Sequence, residues 1–98
     1  MVKHIILWNL KEEYNTDEIK AGIKNGLESL KGEIPGLLEI KVIINSLETS
    51  NSDVMLYSAF EDYDSLKGYA VHPKHVYAAD TFVRPYTKSR SCMDYEDW

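Results

Sequence analysis

The chain opens on nine residues, Val2 to Leu10, that are apolar or aromatic at most positions. A run so rich in β-branched and aromatic side chains predicts a strand. Period two puts Val2, His4, Ile6, Trp8 and Leu10 on one face and Lys3, Ile5, Leu7 and Asn9 on the other. Both faces are largely apolar, so both need cover. One face would meet the protein's own helices, and a second sheet could supply the other layer.

The period then changes. Ile19, Ile23, Leu27 and Leu30 form one helical stripe behind a cap at Asn15 or Thr16, with Asp17 and Glu18 near the positive end. Gly22 and Gly26 each cost such a helix about 1 kcal/mol relative to Ala, which predicts a close approach of helix to sheet. Gly32 and Pro35-Gly36 end the element. From 37 to 45 the alternation returns, with Leu38, Ile40, Val42 and Ile44 facing one way and Glu39, Lys41, Ile43 and Asn45 the other. A polar tract at 46–53 reads as a loop, and Val54 to Phe60 as a third strand. The short spacing predicts an antiparallel hairpin.

Asp62 or Asp64 can cap a second helix carrying Leu66, Tyr69 and Ala70, which Pro73 breaks. A helical turn over 75–82 offers Val76 and Ala79 for packing, with Val83 just beyond it. Arg84-Pro85 ends that turn, and residues 87–95 read as a polar edge strand. The order β-α-β-β-α-β predicts an α+β, ferredoxin-like domain over residues 1–98 with a four-stranded antiparallel sheet and helices on one face. The two-sided first strand then predicts a homodimer through the sheet faces, a dimeric α+β barrel.

Composition narrows the partners. The net charge is −5, and the 11 Lys and Arg are scattered, so a nucleic-acid surface is not expected. The one cysteine, Cys92, cannot form an internal disulfide, which fits a reducing compartment. It reads as a buried or half-buried strand residue. The start lacks the pattern of a signal peptide, and no apolar run reaches the ~20 residues of a membrane span. A cytoplasmic protein without membrane attachment is expected.

The chemistry concentrates in Tyr69-Ala70-Val71-His72-Pro73-Lys74-His75, with the third histidine, His4, on the first strand. Imidazole is the side chain whose ordinary pKa lies nearest neutrality, and a phenol can polarise a carbonyl oxygen as enolate charge develops. His75 and Tyr69 in one pocket could therefore enolise a carbonyl compound. As open an alternative is that His75 only tethers the loop after Pro73. His72 precedes a proline, which pushes it out of helical geometry and suits it to order the turn. Metal binding through His4, His72 and His75 is disfavoured because Pro73 breaks the helical face such ligands would use. Trp8 and Tyr57 read as core or interface aromatics, and Asp94, Glu96 and Asp97 as a solvated tail.

Taken in order, Val2-Lys3-His4-Ile5-Ile6-Leu7, Ile34-Pro35-Gly36, Phe60-Glu61, the Y-x-x-H-P-x-H stretch at 69–75 and Asp94-Tyr95-Glu96 resemble the stress-responsive A/B barrel (Dabb) family over nearly the whole chain. The resemblance implies a homodimer of face-to-face sheets, with a small cavity between the sheet and helices of each subunit. Most members have no assigned activity. One plant member closes a polyketide by aldol condensation without metal or organic cofactor, and its functional residues match His4, Tyr69 and His75. A further histidine of that member falls near Val54 and is absent here. Some members hold magnesium on main-chain oxygens, here near Lys31, Ile34 and Leu37, where no side chain would signal it. The expected protein binds a small molecule in its cavity and uses no cofactor. The alternative is a cofactor-free acid–base enzyme with His75, Tyr69 and His4 as its catalytic residues. A monooxygenase reading has only barrel architecture behind it.

Overall fold

The structure is a computed structural model that describes residues 1–97. Strands β1 (Val2–Leu10), β2 (Leu37–Ile43), β3 (Val54–Phe60) and β4 (Thr87–Glu96) form one antiparallel sheet in the order β2-β3-β1-β4. Helices α1 (Asp17–Glu28), α2 (Tyr63–Val71) and α3 (Pro73–Ala78) are the main cover of one face. The first strand is thus central, which accounts for its continuous hydrophobicity. Val2, His4, Ile6, Trp8 and Leu10 are all buried, the face that period two selected.

Local chemistry sets the helix ends. Thr16 caps α1, its Oγ1 accepting the Ile19 N–H at 3.3 Å. Asp62 caps α2, its carboxylate accepting the Ser65 N–H at 2.8 Å. Pro73 both ends α2 and opens α3, where a missing N–H costs nothing. His72 caps α3: its Nδ1 accepts the Lys74 N–H at 3.1 Å. The chain continues through a single π turn, Ala79–Val83, and a 3₁₀ turn, Arg84–Tyr86, into β4.

Three expectations need correction. In β2 a register shift between Leu37 and Glu39 buries Leu37 and leaves Leu38 exposed, so strict alternation fails where the strand bulges. The space at Gly26 is taken by Phe82, not by the sheet: a Cβ at Gly26 would lie 2.5 Å from Phe82 Cδ2. Cys92 is exposed on the edge strand β4, neither buried nor half-buried.

The far face of the sheet lacks a helix layer. In register there stand Ile5, Leu7, Met55, Tyr57 and Met93. Leu7 and Met93 are exposed and Ile5, Met55 and Tyr57 half-buried.

Candidate functional site

Between the sheet and the helices lies a cavity of about 140 Å³. Its floor is β1, which contributes His4, Ile6 and Trp8, and α2 contributes Leu66, Tyr69 and Ala70. His75 of α3 and Ala79 and Val83 of the π turn close one side. The wall is mostly apolar, with a few polar groups converging, the usual form of a small-molecule site. The π turn in its wall fits the tendency of such turns to fall at functional sites.

The structure brings His4, Tyr69 and His75 together. The Tyr69 and His75 rings stack at 4.2 Å between centroids, tilted by 36°. The His4 ring stands edge-on to Tyr69 at 6.0 Å. Tyr69 is buried, and its hydroxyl has no hydrogen-bond partner among the described residues. Burial pushes the phenol pKa well up, only partly offset by the charge of Arg90. It therefore stays protonated at physiological pH and acts as a donor.

His75 is complementary. Its Nδ1 contacts the Ala70 carbonyl at 3.2 Å. A carbonyl only accepts, so Nδ1 carries the proton and Nε2 keeps a lone pair. Burial lowers the imidazole pKa from its ordinary 6.5, the Ala70 carbonyl opposes this, and Arg84, His4 and Arg90 add to the lowering. Near neutrality this ring is a neutral base.

His4 has a partner that the sequence did not suggest. Antiparallel register sets His4 opposite Asp94, and the Asp94 carboxylate hydrogen-bonds the imidazole Nδ1. Asp94 is therefore part of strand β4 rather than of a solvated tail. A carboxylate on Nδ1 fixes tautomer and ring orientation. The one available signal was Asp94-Tyr95-Glu96, which marked the family but not the contact. Arg84 and Arg90 also line the cavity; nothing in their local sequence distinguished them from other scattered cations. The third-strand position of Val54 is buried and faces Trp8 across the ladder. Trp8 lines the cavity, whereas Tyr57 is on the far sheet face.

Ligand atoms of His4, Cys92 and Asp94 lie within 4.8 Å of one another, a set distinct from His4, His72 and His75. Partial desolvation of the sulfur and the charge of Asp94 raise the pKa of the otherwise exposed Cys92 thiol, away from the thiolate that metals prefer. At the turn after α1, the Ile34 carbonyl accepts the Leu37 N–H at 3.2 Å. The nearby carboxylates of Glu28 and Glu33 pair with Lys24 and Lys74. Magnesium is usually held through one or two carboxylates, and here the Ile34 carbonyl and both nearby carboxylates are already engaged, so this turn does not favour the ion.

A ferredoxin-like α+β layer pair enclosing a histidine–tyrosine–histidine cavity is the class of protein these features define. The stress responsive A/B barrel domain (Dabb) model matches residues 2–97, and the chain belongs to that family. It is similar to a dimeric protein of unknown function with a ferredoxin-like fold from Bacteroides fragilis. The two share 33% identity at a TM-score of 0.88, covering 98% of this chain and 95% of that one. An Arabidopsis thaliana protein has 23% identity and a TM-score of 0.85, covering 100% and 96%. A dimeric ferredoxin-like protein of unknown function from Thermobifida fusca has 21% identity and a TM-score of 0.84, covering 96% and 88%. These last two show the fold alone. Among proteins of curated function, none matches the chain. No helix among the described residues is long and apolar enough to cross a membrane.

Proposed function

We propose that the protein is a single-domain homodimer, its subunits meeting through the far sheet faces, whose cavities bind a small carbonyl compound. The observation that carries this is Tyr69: its side chain lines a mostly apolar cavity, and its buried hydroxyl has no hydrogen-bond partner among the described residues. An unpaired buried polar group costs about 1–3 kcal/mol, and a ligand carbonyl oxygen would remove that cost. The dimer is supported by the apolar sheet face around Leu7 and Met93 and by the dimeric relatives.

The second reading, cofactor-free acid–base catalysis, is favoured by the state of His75. A neutral imidazole with a free Nε2, stacked on the phenol, is arranged to take a proton from a carbon next to the bound carbonyl. The C–H electron pair would move into the enolate, whose oxygen Tyr69 stabilises by hydrogen bonding. His4, its Nδ1–H donating to the Asp94 carboxylate, keeps Nε2 as a further acceptor in the neutral ring.

The test is NMR titration with pentane-2,4-dione, together with deuterium uptake at the central carbon of methyl 3-oxohexanoate near pH 6. Binding should shift His75 and Tyr69 resonances in the wild type and weaken in Tyr69→Phe. Enzyme-dependent uptake should vanish in His75→Ala while the fold persists by circular dichroism. Uptake that survives His75→Ala defeats the catalytic reading; absence of any shift at the cavity residues defeats the binding one.

A further inference from the structure

The cavity has two chemically different ends. Among its lining residues Tyr69 is buried, whereas Arg84 and Arg90 are both exposed and so mark the mouth. The two cations are not equivalent. Arg84 is ion-paired with Asp80, four residues earlier. Arg90 makes no ion pair among the described residues. It lies opposite Trp8 in the β1–β4 ladder, so strand register aims it to the same side as the cavity floor. Its charge reaches into the site, pulling down the pKa of both Tyr69 and His75. The nearest carboxylate on the same strand face, Asp94, is engaged by His4. The Arg90 guanidinium thus has no carboxylate partner among the described residues at the pocket mouth, where its side-chain neighbour is the Cys92 thiol.

We propose that the ligand is an oxo-carboxylate, its ketone oxygen on the Tyr69 hydroxyl and its carboxylate on the Arg90 guanidinium, with an apolar stem between. A guanidinium fork matches a carboxylate in shape and charge. The apolar wall at Ile6, Trp8, Leu27 and Leu56 suits the stem. A cavity of about 140 Å³ limits the compound to a short chain or one small ring. This assignment rests on the cavity being a carbonyl-binding site, as proposed above, and adds the charge of the ligand.

The test compares 4-oxopentanoate with its neutral methyl ester, titrated by NMR into wild type, Arg90→Gln, Arg90→Lys and Tyr69→Phe. Arg90 is exposed on an edge strand, so its variants should fold like the wild type, which circular dichroism checks. The acid should bind at least about tenfold more tightly than the ester. Arg90→Gln should erase that preference without affecting the ester, and Arg90→Lys should restore part of it. Tyr69→Phe should weaken acid and ester alike. Equal binding of acid and ester, with His75 shifting in both, overturns the anion assignment and leaves the carbonyl site standing. A preference that survives Arg90→Gln overturns it too. If neither compound perturbs His75 or Tyr69, both proposals fall together.

Discussion

At the residue scale the pocket is an arrangement of protonation states. Burial keeps Tyr69 protonated and His75 neutral, a donor and a base side by side. The His75 shift has a consequence for stability. Its folded pKa lies below its ordinary 6.5, so between those values the unfolded chain binds more protons. Stability is therefore complete above about pH 6.5 and declines as pH falls through the window beneath it. Unfolding free energy measured by urea between pH 7 and pH 5 should fall less in His75→Gln than in wild type. An unchanged pH slope in that variant would mean that His75 is not desolvated. The same sign sets the acid limb of any turnover, which should lie below pH 6.5 rather than above it.

At the scale of elements, two packing details position the site. Gly26 lets α1 receive Phe82, a residue of the π turn that precedes β4. Replacing Gly26 by Ala gains about 1 kcal/mol of helix propensity. The new methyl would meet Phe82 Cδ2 at 2.5 Å and Cγ at 2.8 Å, and overpacking typically costs about 1–3 kcal/mol. Net destabilisation on the order of 1 kcal/mol is expected, seen as a lower Tm, with partial recovery when Phe82→Ala is added to make room. If Gly26→Ala is stabilising, the π turn is looser than this contact implies. The second detail is Pro73, which divides one helical stretch into α2 and α3. Tyr69 and His75, six apart in sequence, thereby become stacked partners across the break.

At the scale of the whole molecule, the sheet has one face under helices and one without them, where Ile5, Leu7, Met55, Tyr57 and Met93 stand among polar residues such as Lys3, Lys41 and Ser91. The proposed dimer uses the latter. Leu7 lies near the middle of that face and is partly exposed. Leu7→Glu should halve the mass seen by analytical ultracentrifugation at micromolar concentration and lower Tm by several degrees, because a buried unpaired carboxylate is costly. A variant that stays dimeric would place the interface elsewhere. Since cavity and dimer face lie on opposite sides of the sheet, ligand binding by such a variant separates the two properties.

The sequence by itself determined the element order, the buried face of β1, the capping candidates and the histidine–tyrosine set. These follow from local periodicity and local hydrogen bonding, which act within a few residues and so are written in the pattern. It did not determine the bulge that turns Leu37 inward, the seat of Phe82 on Gly26, the pairing of Asp94 with His4, or the presence of Arg90 at the cavity mouth. Each depends on strands or helices far apart in sequence meeting in one register. That register is settled by the packing of the whole sheet. An acidic residue near the end of the chain looks the same whether it is solvated or faces an imidazole ninety positions away. Only the β1–β4 ladder decides which.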